Sequence, residues 1–185
     1  MLRRRKAPDD PLGHVDPGAT ARRFAPAVAE ALESRRRYRE LLDGLRPGPV
    51  RDRLALSGER LDAGVLAVWD TARRATEIER TLAALDPVRV TDEYKRAKRA
   101  GDDPELEAAL AHRFSSVQRL LNTLDDTDDR LRLLDARLGA VVAHAAEVAL
   151  DLPGTGTGDA DALDAELEGV LDELGALRAA LDELG

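Results

Sequence analysis

The chain has no cysteine among its 185 residues. That excludes disulfides, thiolate nucleophiles and Cys-based metal sites, and it leaves the redox compartment open. Aromatic residues are almost absent: Phe24, Tyr38, Trp69, Tyr94 and Phe114 are the full set. A compact interior or a drug-sized pocket draws on more aromatic surface than this, so neither a small-molecule substrate nor a cofactor is expected. Histidine is confined to His14, His112 and His144, and without cysteine these provide no nucleophile–base grouping. Long apolar runs are missing as well. The nearest, GAVVAHAAEVAL from Gly139, carries His144 and Glu147 and falls short of the ~18 residues that a membrane span requires. MLRRRK could open a signal peptide, but APDDPLGHVDP follows where an apolar stretch would be needed. A soluble, cytoplasmic protein is the expectation.

What is present is charge and helix-forming side chains. Charged residues make up 35% of the chain, and Ala, Leu, Arg, Asp and Glu dominate, the composition of long helices. Arg outnumbers Lys by 25 to 3. That ratio resembles high-GC bacterial coding bias, so arginine abundance by itself does not signal phosphate recognition.

Residues 1–19 hold four basic residues, three prolines and no apolar periodicity, and read as a flexible arm. A helical bundle is expected over residues 20–150. Its first helix runs from Thr20 to about Leu45, with Phe24, Val28, Ala31 or Leu32, Tyr38 and Leu42 on one face, and ends at Gly44 and the PGP of residues 47–49. A second helix is expected over 49–85, roughly 55 Å long. Its stripe is Leu54, Leu61, Val68, Ala75, Ile78, Leu82 and Leu85, with small residues Ser57, Gly64 and Thr71 in the remaining seam positions. Gly58 and Gly64 each cost about 1 kcal/mol relative to Ala, which points to close helix approach on that face or to a bend. Asp86-Pro87 ends this helix, and a short helix over Thr91–Ala100 precedes Gly101.

Asp103-Pro104-Glu105 combines a capping acid, a first-turn proline and a dipole-matched acid, and opens a second long helix over 104–150. Val117, Leu120, Leu124, Thr127, Leu131, Leu134, Leu138, Val141, Ala145 and Val148 alternate in steps of 3 and 4. The phase crosses LDDTDD unbroken, so one helix of about 45 residues is expected there rather than a turn. LPGTGTGDAD supplies a flexible linker over 151–160, followed by an acidic amphipathic helix over 161–185. The fold class is therefore all-α: an elongated antiparallel bundle or coiled coil of about four to five helices, with a linker-tethered C-terminal helix.

Charge is polarised along the chain. Residues 1–100 carry 22 positive and 16 negative side chains, whereas residues 101–185 carry 6 and 20. Such asymmetry points to an acidic or basic interaction segment. The basic clusters are Arg3-Arg4-Arg5-Lys6, Arg35-Arg36-Arg37 and Tyr94-Lys95-Arg96-Ala97-Lys98-Arg99. The chain is acidic overall and carries no nucleic-acid motif, so no nucleic-acid partner is expected.

Asp125-Asp126-Thr127-Asp128-Asp129 satisfies DDxxD and resembles the metal–diphosphate signature of prenyl and terpene synthases, which implies Mg²⁺ held by acids on one helix face. No second acid-rich motif and no aromatic cavity accompany it, so no metal site is expected, and Asp125, Asp126 and Asp129 are the only candidates for one. His144-x-x-Glu147 reverses the Glu-x-x-His order of di-iron bundles and has no counterpart. Trp69 is expected to anchor between helices.

The last helix shows the clearest pattern. Leu163, Leu167, Val170, Leu174, Leu177, Leu181 and Leu184 follow a 4, 3, 4, 3, 4, 3 spacing, and Leu171 widens the stripe. The stretch from Ala162 carries seven acids against one arginine, which opposes pairing with a parallel twin. It is expected to dock on a basic, apolar helix surface, in its own chain, another copy or a partner.

These features lead to a non-enzymatic helical scaffold or adaptor that works through protein partners or self-association. Long helical hairpins with a basic N-terminal portion and an acidic C-terminal portion are also broadly similar to ESCRT-III-like membrane-remodelling proteins. That resemblance implies a peripheral membrane-associated or polymer-forming protein. A Mg-dependent enzyme using the DDTDD acids is the third reading.

Overall fold

Two helices open in the same way, on a capping aspartate followed by proline. Asp86 accepts a hydrogen bond from the Arg89 amide at 3.1 Å, and Asp103 accepts one from the Leu106 amide at 2.9 Å. The computed structural model describes residues 10–150 and 157–183, the side chains of 157–160 excepted. Among these residues the elements are a single 3-10 turn at Pro17–Ala19 and five α-helices, with no strand: α1 Ala25–Gly44, α2 Pro49–Ala84, α3 Pro87–Ala100, α4 Pro104–Ala149 and α5 Thr157–Asp182. The protein is an all-α helical bundle. No described helix is long and apolar enough to cross a membrane.

The boundaries depart from the sequence reading in four places. α3 begins at Pro87 rather than Thr91, because Asp86 takes a left-handed backbone (φ 51°) and both ends α2 and caps α3. Aspartate tolerates that conformation better than most residues. α1 begins at Ala25, since Thr20 closes the 3-10 turn and the Ala21 amide donates to Thr76 Oγ1 at 2.8 Å. α5 begins at Thr157, inside the expected linker; residues 151–156 lie outside the described residues. The fourth difference is the arm. Residues 1–9 are not described, but 10–19 pack on the bundle, with Leu12 and Val15 buried. Asp10 and Asp62 grip the buried Arg35 guanidinium together, Asp10 Oδ2 accepting from Nη1 at 2.9 Å and Asp62 Oδ1 from Nε at 2.7 Å.

α4 is continuous through the DDTDD stretch, as the unbroken phase requires. Thr127 is fully buried there, its hydroxyl donating to the Thr123 carbonyl at 2.7 Å.

Cross-helix pairs give the directions. α1 and α2 are antiparallel (Arg35 to Asp62, Tyr38 to Leu54), and α4 and α5 are antiparallel (Arg137 to Glu173, His144 to Glu166). α5 runs parallel to α2, with Arg60 facing Asp164 and Arg74 facing Asp182. α1 and α5 each pack on both α2 and α4 but form no packed interface with one another. The arrangement is therefore an antiparallel α2/α4 pair with α1 on one face and α5 on the other. α3 packs mainly on α4, joined by the stacked rings of Tyr94 and Phe114, whose centroids are 4.9 Å apart. α1 starts level with Asp125, where Arg23 meets it, and α5 ends level with Thr123–Arg130. α3 and the first turns of α4 thus project past the other helices by about 25 Å.

Close approach explains the first of the two glycines of α2, whereas Gly64 has room for an ordinary contact. A Cβ on Gly58 would lie 3.2 Å from Tyr38 Cε1, and one on Gly64 would lie 3.4 Å from Leu138 Cδ2. Tyr38 cannot retreat easily, because it is buried and its hydroxyl donates to the Leu54 carbonyl at 2.7 Å. Gly169 and Gly175 in α5 meet nothing within 4 Å. Gly58→Val should lower stability by about 1–3 kcal/mol, whereas the double change Gly169→Ala/Gly175→Ala should raise it by roughly 1–2 kcal/mol. Urea unfolding of the variants checks both signs.

Candidate functional site: an acidic helix in a two-helix groove

The α5 seam residues Leu163, Leu167, Val170, Leu174, Leu177 and Leu181 are all buried, at 0–4% exposure. They lie against the α2/α4 pair, Leu171 is half-buried beside them, and Leu184 lies outside the described residues. Each of these side chains contributes about 1.5–3 kcal/mol on full burial, so apolar contact, not charge, holds the helix down.

The charged residues beside the seam divide between the two walls of the groove. Towards α2, Asp164 lies 2.6 Å from Arg60 and accepts a hydrogen bond from Ser57 at 2.7 Å, while Arg178 pairs with Asp70 at 3.1 Å. Asp161 pairs with Arg53, and Asp182 with Arg74 at 3.0 Å. Towards α4, Glu173 pairs with Arg137 at 2.5 Å and Glu166 lies 3.6 Å from His144 Nδ1. Burial works against the Asp164 carboxylate, but the Arg60 guanidinium beside it and the hydrogen bond from Ser57 outweigh it and hold the group below its ordinary range. Asp164, Leu171 and Arg178 are seven residues apart, as are Glu166, Glu173 and Ala180. The positions that would flank a twin in a parallel dimer instead face the chain's own α2 and α4.

Surface ion pairs contribute only ~0.2–1 kcal/mol each, and their main effect here is register. Three of the α2 partners are cations, and the fourth pair, Arg178 with Asp70, has its sign reversed. A shifted or inverted α5 would lose that match.

The candidate metal residues are placed otherwise. Asp125 is engaged by Arg23 at 2.6 Å, while Asp126 and Asp129 stand exposed on α4. Asp128 is buried and pairs with Arg132 at 2.7 Å. No group of three or more His, Asp or Glu placed to hold a metal ion occurs among the described residues. His112 is exposed, and Trp69 is buried in α2 with the Arg73 guanidinium 5.7 Å from its ring centre.

One carboxylate departs from its ordinary range in the opposite direction. Asp135, on α4, is pushed up to about 6 by burial and by the neighbouring charge of Glu30 on α1. Its Oδ1 is buried without a hydrogen-bond partner. A raised carboxyl is a familiar mark of an acid–base site, yet among the described residues no group of three or more His, Asp or Glu placed to hold a metal forms around Asp135 and Glu30.

The sequence reading missed the Asp10–Arg35–Asp62 cluster. The signal was Arg35 itself, which continues the 24, 28, 31 spacing of the α1 stripe and so had to be buried with partners.

No family model, curated protein or solved structure matches the chain.

Two outcomes follow from this geometry. Leu174→Ala should destabilise the protein by about 2–5 kcal/mol and Arg60→Ala far less, since its ion pair is solvated, as urea unfolding of the two variants would show. Asp135 binds its proton more tightly folded than unfolded, so its contribution is present at acid pH and lost as pH rises through about 6. Asp135→Asn should therefore raise the unfolding midpoint at pH above about 7, with the difference from the parent shrinking towards pH ~4, as thermal melts across that range would show.

Proposed function

We propose that this protein is a non-enzymatic helical scaffold or adaptor in which α5 is an exchangeable element, seated in a groove that an acidic amphipathic helix of a partner can also occupy. The observation that carries the reading is the placement of α5. It lies on the face of the α2/α4 pair opposite α1 and forms no packed interface with α1. Opening α5 uncovers an apolar groove edged by Arg53, Arg60, Arg74 and Arg137 while leaving the α1/α2/α4 interfaces in place. A groove with apolar floor and basic edges selects an acidic helix with leucines at heptad spacing.

Native-state hydrogen exchange tests the proposal. The α5 amides should open together at a lower free energy than the amides of α2 and α4 that face α1. A Ser57→Cys/Asp164→Cys variant, whose thiols would be the only two in the chain, should abolish that separate opening when oxidised and recover it when reduced. Exchange of α5 only through global unfolding of the parent protein would count against the exchangeable element.

A further inference from the structure

The projecting α3 hairpin carries a surface that the α5 groove does not use. Lys95, Arg96, Lys98 and Arg99 lie on α3, and none forms an ion pair among the described residues; only Lys98 has an aromatic neighbour, its ammonium 5.7 Å from the Tyr94 ring centre. The buried side of α3 is Val90 and the Tyr94 ring stacked on Phe114. At 100° per residue the opposite ridge is formed by Val88, Asp92, Lys95 and Arg99, with Arg96 beside them. Val88 is 73% exposed. This is an unpartnered helix face with an apolar residue and a cation pair at i, i+4.

The same chain presents the complementary pattern. On α5, the ridge facing away from the α2/α4 groove carries Glu168 and Asp172, also at i, i+4, both exposed and neither in an ion pair among the described residues. Ala165, Gly169, Ala176 and Ala179 surround them, and all four are exposed. An approaching helix would therefore meet little steric obstruction.

We propose that α3 of one copy docks on the outward ridge of α5 of a second copy, with Lys95 and Arg99 facing Glu168 and Asp172. The inference rests on the reading of the chain as an assembly protein and names its partner as the chain itself. α3 lies level with the α4 turn at Arg113, and the α5 acids lie level with Arg137 to His144, a separation of about 45 Å along α4. The two surfaces differ and lie at different heights, so the contact is head-to-tail and leaves an unused surface at each end of an assembly. A flat polyanion such as a lipid surface fits α3 less well. Asp92 sits among the cations, and Asp102, Asp103, Glu105 and Glu107 occupy the same tip.

Light scattering on the full-length protein tests this. At low salt the mean mass should rise with concentration to at least twice the monomer value, and it should return to monomer at about 0.5 M salt, where charges more than ~5 Å apart are screened. Lys95→Glu/Arg99→Glu and Glu168→Arg/Asp172→Arg, all exposed positions, should each weaken association about tenfold or more. Mixed in equal amounts, the two variants should associate again, because each then offers the other an opposite-sign face. A protein that is monomeric at low salt, association indifferent to either variant, or a mixture that stays monomeric would overturn the proposal. So would a monomer that instead sediments with anionic phosphatidylserine vesicles through Lys95 and Arg99, which would assign the α3 face to lipid. None of these results depends on α5 leaving its groove, so self-pairing can fail while separate opening of α5 in hydrogen exchange still holds.

Discussion

Everything in this molecule rests on the antiparallel contact between α2 and α4. The two helices run to 36 and 46 residues, and Leu138 of α4 lies beside Gly64 of α2. Each helix buries residues on more than one side. The pair therefore offers two apolar faces rather than one. Adjacent buried residues along α2, Gly64 with Val65, Val68 with Trp69, Thr71 with Ala72 and Ala75 with Thr76, are the local sign of a helix packed from two directions. α1 takes one face and α5 the other.

The two faces are secured differently. On the α1 side a buried Arg35 is held by Asp10 and Asp62, and Tyr38 is wedged at Gly58 with its hydroxyl on the Leu54 carbonyl. Arg35 is buried, and losing both carboxylates would leave its charge unpaired there, so that face tolerates little change. On the α5 side the apolar seam is continuous, but the charges around it are solvated pairs worth tenths of a kcal/mol to about 1 kcal/mol each. They select register and partner sign more than they add stability. The proposed exchange of α5 rests on its outer position on the α2/α4 pair, since its apolar seam is at least as extensive as that of α1.

Much of the fold was legible because period outweighs propensity in long helices. The phase from Val117 to Val148 predicted one helix through DDTDD, and the Asp103-Pro104 cap located its start. The same Asp-Pro signature at Asp86-Pro87 was read as a stop alone, although it also starts the next helix; the left-handed backbone at Asp86 lets one residue serve both roles. Residues 10–19 looked like a free arm because they lack apolar periodicity, yet two apolar residues and one carboxylate suffice to pin them when Arg35 waits in the α1 stripe. For the candidate site, the α5 seam and its acidic character were readable. The groove it occupies was not, because the α2 seam was visible as a single stripe, and the second stripe of Val65, Trp69, Ala72 and Thr76 becomes meaningful only once two neighbours are known to share the helix.

The central claim is that α5 occupies the α2/α4 groove of its own chain, antiparallel to α4. The most direct test is a spin-label distance between Ala136→Cys on α4 and Ala176→Cys on α5, both exposed and close to the Arg137–Glu173 pair, with the labelled protein diluted into excess unlabelled protein. A single short distance, that of two adjacent helices and roughly 10–20 Å between labels given interaxial spacings of ~8–10 Å, should persist at every dilution. Loss of that distance on dilution, or a broad distribution reaching well beyond it, would contradict the account.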